Sequence, residues 1–192
     1  MKQYLDGLDA GGVPVEERAI AALGPKMLAP TAERAGGAVP YPVPPAHTKL
    51  AREALGPAAV PAPEMKVVPD PDPVRARATA RPRIKHPYLG LVNYTTNLRR
   101  LGFTDDDLRL GFTDDDLAGE GSDRLIDAVV AHGDAATVAA RPAEHHAAGA
   151  DHVAIQVITT RHAAHPTPAD VELQVYDDQV FAVSKALAAE LY

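Results

Sequence analysis

The chain lacks cysteine and tryptophan, and aromatic residues make up only 5% of its 192 residues. Without cysteine there is no disulfide framework, no thiol nucleophile and no thiolate metal site. The chain also lacks an excess of positive charge, because its formal net charge is −7. No stretch combines clustered Lys and Arg with aromatic residues, so we expect no nucleic-acid partner.

Long apolar runs are missing as well. Met1-Lys2 leads into the polar stretch YLDGLDA, so we predict no signal peptide, no membrane partner and a cytoplasmic location. Hydrophobic residues make up 46% and charged residues 23% of the chain, which is typical of a globular protein. A chain of this length can bury one core, so we expect a single domain over residues 1–192.

Eight histidines are present, and the densest group is Glu144-His145-His146 with Asp151-His152. Neighbouring residues on a helix point about 100° apart, so His145 and His146 are poorly placed to share one ion. We therefore predict no metal site. Neither Ser122 nor Ser184 lies in a nucleophile elbow, and the sequence identifies no catalytic residue.

The pattern over residues 121–158 predicts two helices followed by a strand. Ser122 is placed to cap the first helix, and we expect Gly133 to end it as the C′ residue. Asp134 opens the second helix, which we expect to end at Gly149. Residues 152–158 are nearly all apolar, as in a strand buried on both faces of a parallel sheet. The combination is typical of an α/β fold.

The rest of the chain repeats this alternation. Short apolar stretches predict strands, and segments with apolar residues every three or four positions predict helices. The expected strands are 19–23, 36–39 and 64–68, and the expected helices are 26–35, 47–55, 74–80 and 167–191.

One strand-to-helix connection has the features of an anion site. The apolar stretch 19–23 passes through Gly24-Pro25 directly into a helix that begins at Lys26. Unpaired N–H groups point outward at a helix start, where the dipole favours negative charge, and Lys26 adds a positive charge. Because most such turns bind nothing, the residues alone leave phosphate binding and a purely structural turn both open.

A nine-residue repeat, RLGFTDDDL, occurs as Arg100–Leu108 and again as Arg109–Leu117. It is too short for a solenoid unit and indicates a local duplication within a connection. Each TDDDL predicts a helix start with threonine as the N-cap. A cation site is the alternative, but three adjacent carboxylates cannot all converge on one ion.

Proline is frequent, with 18 residues, and Pro142 falls inside the expected helix 134–148. A proline in a helix interior costs about 3 kcal/mol. The row Val138, Pro142 and His146 is the one that an unbroken helix would direct towards the core.

Three stretches together resemble a known family. ALGPKML, HPYLGLVNYTTNLRRLGFTDDDL and GSDRLIDAVVAHGD…AAGADHVAIQV are similar to the luciferase-like flavin and deazaflavin oxidoreductases, in particular their F420-dependent branch. The resemblance implies a partial (β/α)8 TIM barrel, the C-terminal half with strands 5–8. Residues 19–23 would be the fifth strand and 152–158 the eighth, both in one parallel sheet, with an excursion over residues 84–121.

The resemblance also implies a function: hydride transfer between coenzyme F420 and a small-molecule organic substrate. The family's phosphate-binding turn corresponds here to Gly24, Pro25, Lys26 and Met27. The alternative cofactor is FMN, which would make the protein a monooxygenase of the same fold.

The chain departs from the family in size. A complete (β/α)8 barrel usually has about 250 residues, and the sequence contains no counterpart of strands one to four. Val39 also stands where relatives commonly have histidine. We therefore expect the chain alone to be impaired by truncation, a non-catalytic remnant, or a half-barrel that pairs with a second copy or an N-terminal half-barrel.

Overall fold

The computed structural model describes residues 1–108 and 121–159. The second copy of the repeat and the predicted helix 167–191 lie outside the described residues and remain predictions. The chain divides into two compact units. Of the described residues, the first unit contains 1–64 and 144–154, and the second contains 65–108, 121–143 and 155–159.

The first unit alternates helices with very short strands. Its elements are α1 (Lys2–Ala10), β1 (Ala19–Ile20), α2 (Pro25–Arg34), β2 (Gly37–Ala38), α3 (Pro45–Leu55) and β3 (Val60–Pro61).

The strands of the first unit form a parallel sheet in the order β1-β2-β3. Each strand is only two residues long. Pro61 has no N–H and lies on β3, at the sheet edge, where proline is tolerated. A Cβ on Gly37 would lie 2.5 Å from the carbonyl oxygen of Val60, so this close strand pairing requires glycine.

The core of the first unit is rich in alanine. Ile20, Leu28 and Leu55 supply most of its bulk, and Leu5 of α1 is 1% exposed. The small side chains let helices and sheet approach closely. The alanines in this core are Ala22, Ala35, Ala38, Ala51 and Ala59.

The second unit has longer elements. They include β4 (Glu64–Val68, whose first residue belongs to the first unit), α4 (Pro73–Lys85), α5 (Val92–Arg100), α6 (Asp105–Leu108), α7 (Asp123–Val129), β5 (Val130–His132), α8 (Ala135–Ala140), α9 (Pro142–Ala147, which passes into the first unit at Glu144) and β6 (Ala154–Val157).

The second sheet has the order β5-β4-β6, with β4 and β5 parallel. Ala154 N donates to Pro63 O, and Ile158 N donates to Val67 O. The residue numbers rise together along the two strands, so β6 is parallel to β4. Helices α4, α5 and α7 cover a core of larger side chains, including Ile84, Leu98 and Ile126.

The predicted α/β class with parallel strands is confirmed, but the prediction that residues 19–23 and 152–158 share one sheet is wrong. Within residues 1–108 and 121–159, Ala19–Ile20 belongs to one three-stranded sheet and Ala154–Val157 to another, and no closed barrel forms. The prediction that 152–158 is buried on both faces is also wrong. Its strand residues are half-buried or exposed.

Gly133 does not end the first predicted helix of residues 121–158. Helix α7 ends at Val129, and β5 separates it from Gly133. The β-branched Val130 pairs with Lys66 of β4, and this long-range pairing ends the helix before the glycine. The caps are confirmed: Ser122 Oγ accepts from Leu125 N at 3.1 Å, and Asp134 accepts from Thr137 N at 2.8 Å.

The second predicted helix does not run unbroken to Gly149. It divides into α8 and α9, with Pro142 at the start of α9, where its missing N–H costs nothing. The break changes which face is buried. Val138 is buried as expected, but His145 rather than His146 then points inward, at 2% exposure.

Candidate functional site

The four residues of the predicted phosphate turn join β1 to α2. Gly24 is the N-cap of α2 and has extended backbone angles, and Pro25 is the first helical residue. Pro25 and Lys26 are exposed, whereas Gly24 and Met27 are half-buried. Met27 packs against the core of the first unit, so its side chain serves packing, whereas Pro25 and Lys26 face solvent.

The turn offers fewer N–H donors than a typical helix start. Pro25 has no N–H, and the N–H groups of Met27 and Leu28 both donate to Gly24 O, at 2.8 and 2.9 Å. No side chain caps this helix, and its first turn contains no acidic residue. The N–H groups of Gly24 and Lys26 therefore remain to meet an anion, with Met27 N–H able to share its hydrogen bond.

Lys26 supplies the positive charge of the turn. Among the described residues, no carboxylate forms an ion pair with it, whereas the nearby Arg34 is paired with Asp6 and Asp9. A free ammonium beside outward N–H groups can bind a phosphate as a point charge. The turn therefore fits a phosphate group by charge and by its lack of a competing cap.

A hydrogen bond from His47, a residue that the sequence analysis did not single out, holds the residue before the turn. His47, on the first turn of α3, is 1% exposed, and its Nε2 lies 2.7 Å from Leu23 O. Leu23 is the residue immediately before Gly24. No local pattern reveals this contact, because the two residues are 24 positions apart in the chain.

Helix α3 also holds the returning segment 144–154 of the first unit. Thr48 Oγ1 and His145 Nδ1, both buried, are hydrogen-bonded at 2.8 Å. Arg52 donates to the carbonyl oxygen of Gly149 at 2.9 Å and pairs with Asp151. His145 and Asp151, two residues of the histidine-rich group considered in the sequence, are thus engaged in a hydrogen bond and an ion pair.

The second unit has a buried lysine on its central strand. Lys66 is 3% exposed, hydrogen-bonds Gln156 of β6 and lies 5.2 Å from the ring centroid of Tyr88. Tyr88 in turn meets Tyr94 edge-on, with centroids 4.9 Å apart. A buried charge requires partners, and Gln156 and the Tyr88 ring are two of those that surround Lys66.

The acidic repeat forms caps. In its first copy, Thr104 Oγ1 accepts from Asp107 N–H at 3.2 Å, and Asp107 accepts from Thr104 N–H at 2.9 Å. Together with a hydrogen bond from Ser122, these contacts lower the pKa of Asp107 to about 2. The capping interpretation is confirmed for this copy.

A charged network lies beside the end of β5. Arg77 binds both carboxylate oxygens of Asp127 and lowers its pKa, and His132 Nε2 contacts the same carboxylate at 2.9 Å. Each charge here has a partner, as expected of a structural network. Within the described parts of the chain, no three potential ligands gather as a metal site would need.

None of the described helices combines the length and the hydrophobicity that a bilayer crossing requires.

No family model matches the chain, and no curated protein matches it. Among solved structures, two share the fold of this chain. The chain is similar to the coenzyme F420-dependent tetrahydromethanopterin reductase from Methanopyrus kandleri, with a TM-score of 0.56 and 20% identity, over 72% of this chain and 44% of that chain. It is also similar to an F420-dependent secondary alcohol dehydrogenase in complex with an F420–acetone adduct, with a TM-score of 0.52 and 16% identity, over 88% of this chain and 48% of that chain.

At these identities the likeness shows a shared fold. The chain spans about half the length of each solved structure that it matches.

Proposed function

We propose that this chain is part of an oxidoreductase of the luciferase-like family, in which coenzyme F420 exchanges hydride with a small organic substrate. The proposal assigns the cofactor's phosphate to Gly24, Pro25, Lys26 and Met27. The observation that carries it is the helix start at Gly24, which has no cap and no acidic residue, carries Lys26 and follows a parallel strand.

Two lines of support converge on F420. The sequence stretches resemble the F420-dependent branch, and the two solved structures of similar fold are both F420-dependent enzymes. When bound, the deazaflavin would supply two-electron chemistry. The residues of this chain would hold its phosphate through the Gly24 and Lys26 N–H groups and the Lys26 ammonium.

The proposal extends to a partner. Both described sheets have only three strands, and β6 is an edge strand with half-buried apolar residues. Exposed parallel edges are a liability that proteins usually cover. A second copy of the chain or an N-terminal half-barrel would cover such an edge.

The first experiment measures binding of F420 to the purified chain by the change in cofactor fluorescence, with inorganic phosphate as competitor. We expect weak, saturable binding that phosphate displaces, and no turnover. FMN is titrated in parallel, because a phosphate turn alone does not distinguish the two rings.

Preference for FMN would favour the monooxygenase alternative, and a chain that binds neither cofactor would be a non-catalytic remnant. Turnover of F420 by the chain alone would contradict the expected impairment. Mass measurement in solution tests the partner, since a stable compact monomer argues against required pairing.

A further inference from the structure

The hydrogen bond between His47 and Leu23 orients a whole peptide unit and not only its carbonyl group. A carbonyl oxygen can only accept, so His47 Nε2 carries the proton and donates it across 2.7 Å to Leu23 O. At 1% exposure His47 is sheltered from water, and little competes for this bond. The Leu23 carbonyl is therefore held towards α3.

Leu23 O and Gly24 N–H belong to the same peptide unit. That unit is planar and trans, so its C=O and N–H groups point in opposite directions. Holding the carbonyl of Leu23 towards His47 consequently turns the N–H of Gly24 away from α3. Gly24 N–H is one of the few donors that the turn keeps for an anion, since Pro25 has none and Met27 N–H is shared.

We infer that His47 is a positioning residue for the anion-binding turn: it orients the peptide between Leu23 and Gly24 so that Gly24 N–H faces the phosphate. This inference rests on the proposed function, because it gives His47 a role only if the turn holds a phosphate. His47 itself touches neither the phosphate nor the reacting atoms.

The test uses three variants of the full chain. His47→Leu removes the donor, whereas His47→Gln restores one, because the amide nitrogen of glutamine takes about the place of Nε2. Thr48→Val is the matched control, since Thr48 is the next residue of α3, is also fully buried, and bonds His145 instead of the turn.

The inference predicts a specific ranking of Kd values for F420 and for inorganic phosphate. His47→Leu should weaken both by about tenfold, and His47→Gln should stay within about threefold of wild type, as expected for one hydrogen bond. Thr48→Val should leave both Kd values unchanged despite a similar loss of thermal stability. Equal weakening by Thr48→Val and His47→Leu would overturn the inference, because it would show a general packing effect.

Nuclear magnetic resonance gives a readout that needs no cofactor. In the wild-type chain, the ¹⁵N spectrum of the His47 ring should show a protonated Nε2, and a bare Nε2 would overturn the inference even if His47→Leu does not fold. The amide resonance of Gly24 should shift in His47→Leu and return in His47→Gln. If the wild-type chain bound no phosphate, the proposed function would fail while these spectra still decided whether His47 orients the peptide.

Discussion

Two strand-to-helix connections of this chain share a preceding parallel strand and a proline at the helix start, but they differ in the residue that caps the helix. The β1–α2 connection and the β4–α4 connection both follow a parallel strand, and both helices start with proline, Pro25 and Pro73. In the second connection, Asp72 accepts from Val74 N at 2.9 Å and from Arg75 N at 3.2 Å. In the first, the equivalent position is Gly24, which has no side chain to do so.

The difference teaches how a helix start becomes open to a ligand. The first N–H groups of every helix need acceptors. Helix α4 satisfies the N–H groups of Val74 and Arg75 with the carboxylate of Asp72, which also excludes an outside anion. Helix α2 has no such side chain, so it leaves the N–H of Lys26 for solvent or a ligand, while Met27 N–H already donates to Gly24 O. The proposed phosphate binding at the Gly24 turn would therefore depend on a missing acid as much as on the presence of Lys26.

The largest expected effect comes from giving the first connection the cap of the second. Gly24→Asp places a carboxylate where the phosphate would lie, and repulsion together with self-capping should raise the Kd for F420 and phosphate by about a hundredfold. The backbone of Gly24 is extended, as an N-cap aspartate prefers, so thermal stability should hold or rise slightly.

Gly24→Asn is the matched control, since it has the same shape and caps equally well without the charge. It should lose clearly less affinity than Gly24→Asp. Equal affinity in wild type and Gly24→Asp, both folded by circular dichroism, would exclude the turn as the phosphate site.

A smaller effect is expected from removing the charge of the turn. Lys26→Gln should raise the Kd for F420 by about tenfold, the value of one charge-assisted contact at an exposed position, and should flatten its salt dependence. Lys49→Gln removes the same charge from an exposed site on α3 and should change neither. A loss shared by both variants would mean that net charge alone attracts the cofactor.

The features that the sequence predicted well are those that a few neighbouring residues decide. Ser122, Asp134 and Thr104 each cap a helix through atoms within three positions. The strand Glu64–Val68 was predicted with its observed bounds, because Pro63 and Pro69 delimit it on both sides. The position of Gly24 at a helix start followed from the same local rules.

The features that the sequence did not predict depend on distant partners. Strand β5 exists because Val130 meets Lys66, 64 positions earlier, and nothing near Gly133 reveals that pairing. His47 is an ordinary helix residue until Leu23 is brought against it. The division of the strands into two sheets likewise depends on which edges meet, and short apolar stretches do not specify this.

Removing the side-chain cap of α4 would make the start of this helix resemble the uncapped start of α2. Asp72→Ala removes the cap of α4 and should lower the free energy of unfolding by about 1 kcal/mol, measured by urea denaturation. Asp72→Asn keeps an acceptor for Val74 N–H and should recover most of the loss. An unchanged stability in Asp72→Ala would show that water satisfies this helix start equally well, and the contrast with Gly24 would then lose its meaning.

The smallest expected effect concerns the ion pair that reinforces that cap. Arg75 binds both oxygens of Asp70 at 2.6 Å and lowers its pKa below the ordinary 3.8. A carboxylate with a lowered folded-state pKa stabilises the protein above its unfolded-state pKa, and that contribution is lost as the pH falls through the folded-state value. Arg75→Gln should therefore melt below wild type at pH 7, and the difference should shrink as the pH falls below about 3.8.

Because Arg75 is largely exposed, the difference at pH 7 should also shrink in 1 M salt. Arg83→Gln removes the same charge from α4, at a position without an ion pair among the described residues, and should show neither dependence. A deficit of Arg75→Gln that persisted at pH 2 would mean that the side chain acts through packing of its stem. Of the two interactions, only the Asp72 cap would then stabilise the start of α4 electrostatically. The β4–α4 connection would then differ from the Gly24 turn only in the side chain at the N-cap position.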